Sequence, residues 1–294
     1  MKLSNGTGSC MGRIAAFFLG SSLLAMAASP EFERARKLYQ LTDFEQSLKL
    51  LEAIPTKDAA VWKLIGQNHY GQAEYKRASE ALEKALALDP ESSEICLWLG
   101  RTYGRRAETS NPLSAPMHAS KARQYFERSV RLDPKNLDAQ SDMLEYYLEA
   151  PGFLGGGLDK AAVTASRMAE INPAEGHWAQ ARIDEKRKEL GSAEEHLRRA
   201  IEAAPHQVGR VLDLARLLTK QGRYAEADQS LAKAAEMAPD SPKVIFGRAE
   251  IYVKSKRNLP IARDLLQRYM SLNLSPEDPP RSEAKKLLDQ ARGI

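Results

Sequence analysis

Between Ala59 and Pro90 the chain reads AAVWKLIGQNHYGQAEYKRASEALEKALALDP, and its apolar residues recur three or four apart on either side of a short polar break. That spacing predicts two amphipathic helices folded back on each other. Counting Ala59 as the first place, Trp62, Ile65 and Gly66 fall at the fourth, seventh and eighth places, followed by Tyr75, Ala78, Leu82, Ala85 and Pro90. Gly66 and Ala78 are small where the two helices must cross closely, while Trp62, Tyr75 and Leu82 fill the space around the crossing. Pro90 ends the second helix, because proline lacks the amide donor and disfavours helix in the residue before it. One such pair leaves an apolar face open, so it needs similar pairs above and below.

The rest of the chain supplies them. Ala35, Leu38, Phe44, Ser47 and Leu51 keep a degenerate version of the spacing and read as a first, capping unit. Leu99, Gly100 and Tyr103 begin a third unit whose second helix carries Ala122 and Phe126. A fifth unit, Gly176–Pro205, has Trp178, Ala181 and Ile183 in a polar first helix and Ala193, Leu197 and Ala200 in the second. Leu214, Ala215, Leu218, Gly222, Tyr224, Ala227, Leu231 and Ala234 form a sixth, and Ala249, Tyr252, Ala262, Leu266 and Tyr269 a seventh. The closing prolines, 90, 134, 173, 205 and 239, are spaced by 44, 39, 32 and 34 residues. Units three and four therefore carry insertions, expected as loops near 105–118 and 150–157 on one edge of the stack. Pro280–Arg292 reads as a last amphipathic helix, with Ala284, Leu287, Leu288 and Ala291 covering the end while Lys285, Lys286 and Asp289 face water.

This pattern of large and small places resembles the tetratricopeptide repeat, a helix–turn–helix unit of 34 residues. The resemblance implies an all-α fold: a right-handed superhelical solenoid of about seven repeats over residues 28–294, closed by a C-terminal capping helix. The stretch APGFLGGG-x-x-KA from Ala150 is similar to a variant found in bacterial proteins of this family, which implies a structural role for it and a bacterial source. In the family the first helix of each pair lines a concave groove through its second, fifth, ninth, twelfth and thirteenth places. Carried onto this sequence, those places give Lys63, Gln67 and Tyr70; Leu97, Arg101 and Arg105; Ser141, Glu145 and Glu149; Leu212, Arg216 and Lys220; and Phe246, Glu250 and Lys254. The expected inner wall alternates basic Arg101, acidic Glu145 and basic Arg216, with Tyr70, Leu97, Leu212 and Phe246 giving apolar contact. The family's two-carboxylate chaperone clamp is not expected, since Gln67 stands in place of its asparagine and Ser141 and Glu145 make the fourth unit's wall acidic.

Composition changes little in this picture: 43% hydrophobic and 28% charged residues describe a globular chain. The N-terminus changes more. Lys2 and Arg13 precede an uncharged run, Ile14 to Ala28, with Ala25 and Ala27 flanking Met26, which reads as a secretory signal cleaved after Ala27. An uncleaved signal anchoring the protein in the membrane is the alternative. Cys10 lies before the apolar run, which argues against a lipid-anchored cysteine. Cleavage lowers the formal charge from +4 to +2, too near neutral to suggest a nucleic-acid partner. It also leaves Cys96 without a disulfide partner, at a place where a buried, inert thiol is expected.

No motif for catalysis accompanies these repeats. Gly152 to Gly157 has the spacing of a phosphate loop, but Leu158 stands where lysine is required. The histidines at 69, 118, 177, 196 and 206 read as scattered over different repeats or loops, without metal-ligand spacing. The expectation is an exported, non-enzymatic scaffold, periplasmic or secreted, that holds a protein or peptide partner in its groove without cofactor, metal, nucleic acid or small-molecule substrate. The alternative is an accessory subunit of an exported enzyme or of a cell-envelope assembly or secretion machine.

Overall fold

A computed structural model describes residues 29–293; the signal expected at residues 1–27 lies outside the described residues. Among the described residues there are fifteen α-helices and no strand. In chain order they are α1 (Pro30–Gln40), α2 (Phe44–Glu52), α3 (Ala59–Gly71), α4 (Tyr75–Leu88), α5 (Ser93–Thr109), α6 (Ala115–Leu132), α7 (Leu137–Glu149) and α8 (Leu158–Ile171). There follow α9 (Pro173–Arg187), α10 (Leu190–Ala203), α11 (Val208–Lys220), α12 (Tyr224–Met237), α13 (Pro242–Lys254), α14 (Leu259–Met270) and α15 (Arg281–Arg292). Each odd-numbered helix from α1 to α13 packs on the helix after it, and the pairs stack in sequence as an all-helical solenoid, capped at its C-terminal end by α15.

Local chemistry sets the helix ends. Ser29, Asp43, Asp58, Ser92, Asn136 and Asn172 each accept a hydrogen bond from an amide two or three residues on, satisfying a donor that the first turn leaves free. The helices before Pro90, Pro134, Pro173, Pro205 and Pro239 each stop two residues short of the proline. Pro173 both closes α8 and occupies the first turn of α9, so a single residue joins these helices. That explains the short spacing of the fifth unit, and it starts the helix at Pro173 instead of Gly176.

The crossings are as tight as the small residues require. A Cβ on Gly66 would lie 2.5 Å from Leu82 Cγ and 3.1 Å from the Ala78 carbonyl, and one on Gly100 would lie 2.4 Å from the Phe126 ring. Ala78, Ala122, Ala161, Ala193, Ala227 and Ala262, equivalent places in successive second helices, are fully buried. Cys96 is buried as well, and its burial pushes the thiol pKa upward, away from reactivity.

The two insertions differ from expectation in form. The first is taken up mainly by longer helices: α5 has 17 residues and α6 has 18, against 13 and 14 in α3 and α4. Pro116 sits in the first turn of α6, where no amide is needed, so it does not break the helix. Only Ser110–Ser114 forms a turn, held by Asn111 Oδ1, which accepts from the amides of Leu113 and Ser114. The second insertion is a compact turn around a 3₁₀ helix, Gly152–Leu154. The amides of Gly155, Gly156 and Gly157 donate to the carbonyls of Gly152, Pro151 and Tyr147, so none is left to cradle a phosphate. Gly155 has φ of 89°, and a Cβ on Gly156 would lie 1.8 Å from the Ala150 carbonyl oxygen, so both glycines are required by the backbone.

Candidate functional site

The first helices of successive pairs, α3, α5, α7, α9, α11 and α13, form the wall expected to line the groove, and charged side chains reach from each of them to the next. Lys63 meets Glu94 at 2.5 Å, and Arg101 meets Asp142 at 2.5 Å. Arg182 grips both oxygens of Glu145 at 2.7 and 2.9 Å. Lys220 meets Glu185 at 2.6 Å, and Arg216 meets Glu250 at 3.3 Å. Together these pairs form a ladder that joins α3 to α13. The hydrogen bonds to Glu145 raise the Arg182 pKa and keep the guanidinium charged. Most rungs are partly exposed and contribute little each, whereas the two-pronged Arg182–Glu145 pair is the stronger kind.

This ladder corrects the expected alternation of charge. Glu145 is matched by Arg182 and Arg216 by Glu250, so the wall is internally compensated instead of banded. The expected apolar contacts are corrected too. Leu97, Leu212 and Phe246 are buried, and so is Gln67; the apolar fifth-place side chains pack into the stack instead of facing the groove, whereas Lys63 at the same place stays partly exposed. Phe246 lies 5.2 Å from the ring of Tyr269, and a Cβ on Gly247 would touch Leu212.

Two of the expected residues line both of two neighbouring clefts. Tyr70 and Arg105 both line a cleft of about 520 Å³ and a second of about 410 Å³ on its other side. Tyr70 stands edge-on to Tyr75 and to Trp98, each at 5.4 Å, and burial pushes its hydroxyl pKa up to about 12. Arg105 lies over the Tyr75 ring at 5.5 Å and donates from Nε to the Tyr75 hydroxyl at 3.2 Å. The second cleft runs along Arg101, Glu145, Tyr146 and Glu149 to Pro151 and Leu154, so it joins the groove to the second insertion. Of the other expected groove residues, Lys63, Leu212, Arg216, Lys220 and Phe246 line neither cleft.

The opposite wall of the larger cleft was not foreseen. It is the segment between α14 and α15, from Leu274 to Pro280, continued by the start of α15. The superhelix brings this segment back to the first three repeats, where Glu283 Oε1 stands 4.0 Å from Arg105 Nη2. The Tyr269 hydroxyl donates to the Pro279 carbonyl, and Arg281 donates to the carbonyls of Met270 and Leu272. Ser275 donates to Asp278 through its amide and its hydroxyl, both at 2.9 Å. The wall is therefore a pinned turn. Lys286, read from the sequence as facing water only, also lines this cleft. Pro276, Pro279 and Pro280 were the sequence signal for such a turn.

Histidines 177 and 196 are a further correction. They lie on α9 and α10 of one repeat, with Nδ1 atoms 3.3 Å apart, and Asp184 Oδ2 is 3.8 Å from His196 Nε2. Among the described residues no group of three or more metal-ligating side chains is placed around an ion. Burial, then His196 and Arg199, lower the His177 pKa from 6.5. The folded chain thus binds fewer protons here than the unfolded one, so this contribution to stability is complete above 6.5 and is lost as pH falls below it. Urea midpoints measured at pH 7.5 and 5.5 should drop more in the wild type than in His177→Gln.

The fold defines a class, the stacked helix-pair solenoid, whose members present a concave wall of first helices. Family models described as tetratricopeptide repeat match residues 59–92 and 186–244. The chain thus carries tetratricopeptide repeats, which generally mediate protein–protein interaction. A tetratricopeptide repeat protein from Parabacteroides merdae has a similar structure, with a TM-score of 0.57 at 15% identity over 89% of this chain and 97% of that one. A thermophilic protein of the same type in Thermus thermophilus gives 0.50 at 19% identity, over 67% and 96%. At these identities the likeness is one of fold alone. A search of curated proteins found no match.

Proposed function

We propose that this protein is an exported, non-enzymatic scaffold that holds a segment of a protein partner on the concave side of repeats two to four. The observation that carries the reading is the meeting of two clefts at Tyr70 and Arg105, on a wall where other charges are already matched across the ladder. Aromatic side chains and arginine are the residue types that most often dominate binding at protein interfaces. The clefts have the volume of sites that enclose small ligands, which suits a short stretch of chain more than a broad flat contact. Among the described residues no helix is long and apolar enough to cross a membrane.

Recovery of partner on immobilised protein tests the surface. Tyr70→Ala should reduce the recovered partner at least severalfold, whereas Lys285→Glu, on the exposed side of α15, should not. Equal recovery by both, with matched melting curves, would move the interface elsewhere.

Export is part of the proposal and rests on the basic opening, the apolar run and the Ala25–Ala27 site. N-terminal sequencing of the protein from the producing cell should give a chain beginning at Ala28 or within a residue or two of it. A full-length chain in the membrane fraction would establish the anchored alternative.

A further inference from the structure

Arg105 differs from five of the other inward cations in how it is satisfied. Lys63, Arg101, Arg182, Arg216 and Lys220 each meet a carboxylate on a neighbouring first helix at 3.3 Å or less. Arg105 has an exposed partner within its own helix, Glu108 at 2.5 Å, and its partner from another element, Glu283, stands at 4.0 Å across the cleft. An exposed pair three residues apart on one helix holds a guanidinium only weakly. The Glu283 side chain is half-exposed and comes from the first turn of α15, so it can turn away without disturbing the pinned turn behind it.

The surroundings specify an occupant. One wall offers Phe44, Tyr70 and Tyr75, the facing wall offers Leu274, Pro276 and Pro279, and Arg105 lies between them. Because Arg105 also lines the second cleft, a chain lying over it continues on both sides, which favours an internal residue over a chain end.

We propose that this cleft binds an extended segment of a protein partner, and that a single internal Asp or Glu of that segment replaces Glu283 on Arg105. Glu283 is then a displaceable substitute for the ligand, and tyrosine and proline faces hold the flanking residues. The inference rests on the interaction reading above and adds the chemistry of the partner. A carboxylate placed against the guanidinium can make a two-pronged ion pair, which its neutral amide analogue, with one acceptor oxygen, cannot.

The test is selection from a display library of random 12-residue segments fixed at both ends, carried out on the full chain and on Arg105→Gln, Glu283→Gln and Tyr70→Ala variants with matched melting curves. Wild type should enrich sequences with a central Asp or Glu. Glu283→Gln should bind the same sequences roughly tenfold more tightly, since the internal competitor is gone, and Arg105→Gln should bind them roughly tenfold more weakly. Enrichment that depends on Tyr70 but ignores acidity and Arg105 would overturn the proposal and leave the interaction surface standing. Enrichment indifferent to Tyr70 and Arg105 alike, or none at all, would remove both. Concentration-dependent dimers abolished by Arg105→Gln, in place of peptide capture, would make a second copy the occupant and also overturn the proposal.

Discussion

Arg210→Ala is expected to destabilise the protein by about 3 kcal/mol, because it strands a buried carboxylate. Arg210, at the start of α11, pairs with Glu175 of α9, and both side chains are largely buried. Its guanidinium also lies 4.4 Å from the centre of the Trp178 ring and 3.3 Å from Asp213. Removing the arginine takes away the partner of Glu175, the packing on Trp178 and a bridge between repeats five and six together. The double replacement Glu175→Gln with Arg210→Met removes the buried charge and keeps the length of the side chain, so it should recover most of the loss. Urea unfolding of Glu175→Gln, Arg210→Met and the double variant measures the coupling. If Arg210→Ala alone is neutral, the pair is solvated in the working protein and the joint between these repeats is held by apolar packing alone.

Ala78→Leu and Ala227→Leu should each cost about 1–3 kcal/mol, since both methyls sit fully buried at equivalent crossings. At the first of these, Gly66 leaves no room for even one further carbon beside Leu82. The expected result is a lower melting temperature with helical content preserved in the cold, because a solenoid loses one interface without losing the others. Unchanged melting of both variants would contradict the assignment of these residues to the crossings.

The helix pairs were readable from the sequence because their determinants are local. A proline two residues beyond the second helix, an alanine against a glycine or another small residue at the crossing, and a cap before the first helix all act within one repeat. What the sequence did not show depends on neighbours one repeat or more away. Glu145 reads as an acidic patch until Arg182, on the next first helix, is placed opposite it. Leu97, Leu212 and Phe246 share groove places in the family pattern, yet each is buried against adjacent helices. The cleft at Arg105 is further still from local reading, because its second wall comes from the far end of the chain through the curvature of the superhelix. His177 and His196 are a milder case: 19 residues separate them, and only the pairing of α9 with α10 brings their rings together.

The central claim is that a partner is held at the concave meeting of the two clefts, and site-specific photo-cross-linking in the producing cell tests it most directly. A photoreactive phenylalanine analogue at position 70 lies between the clefts, and the same group at position 163, on an exposed face of α8, serves as the reference. The account predicts one discrete cross-linked protein from position 70, lost when Arg105→Gln is combined with it, and none from position 163. Cross-linking of the same partner from position 163 with none from position 70 would place the interface on the outer helices and contradict the account.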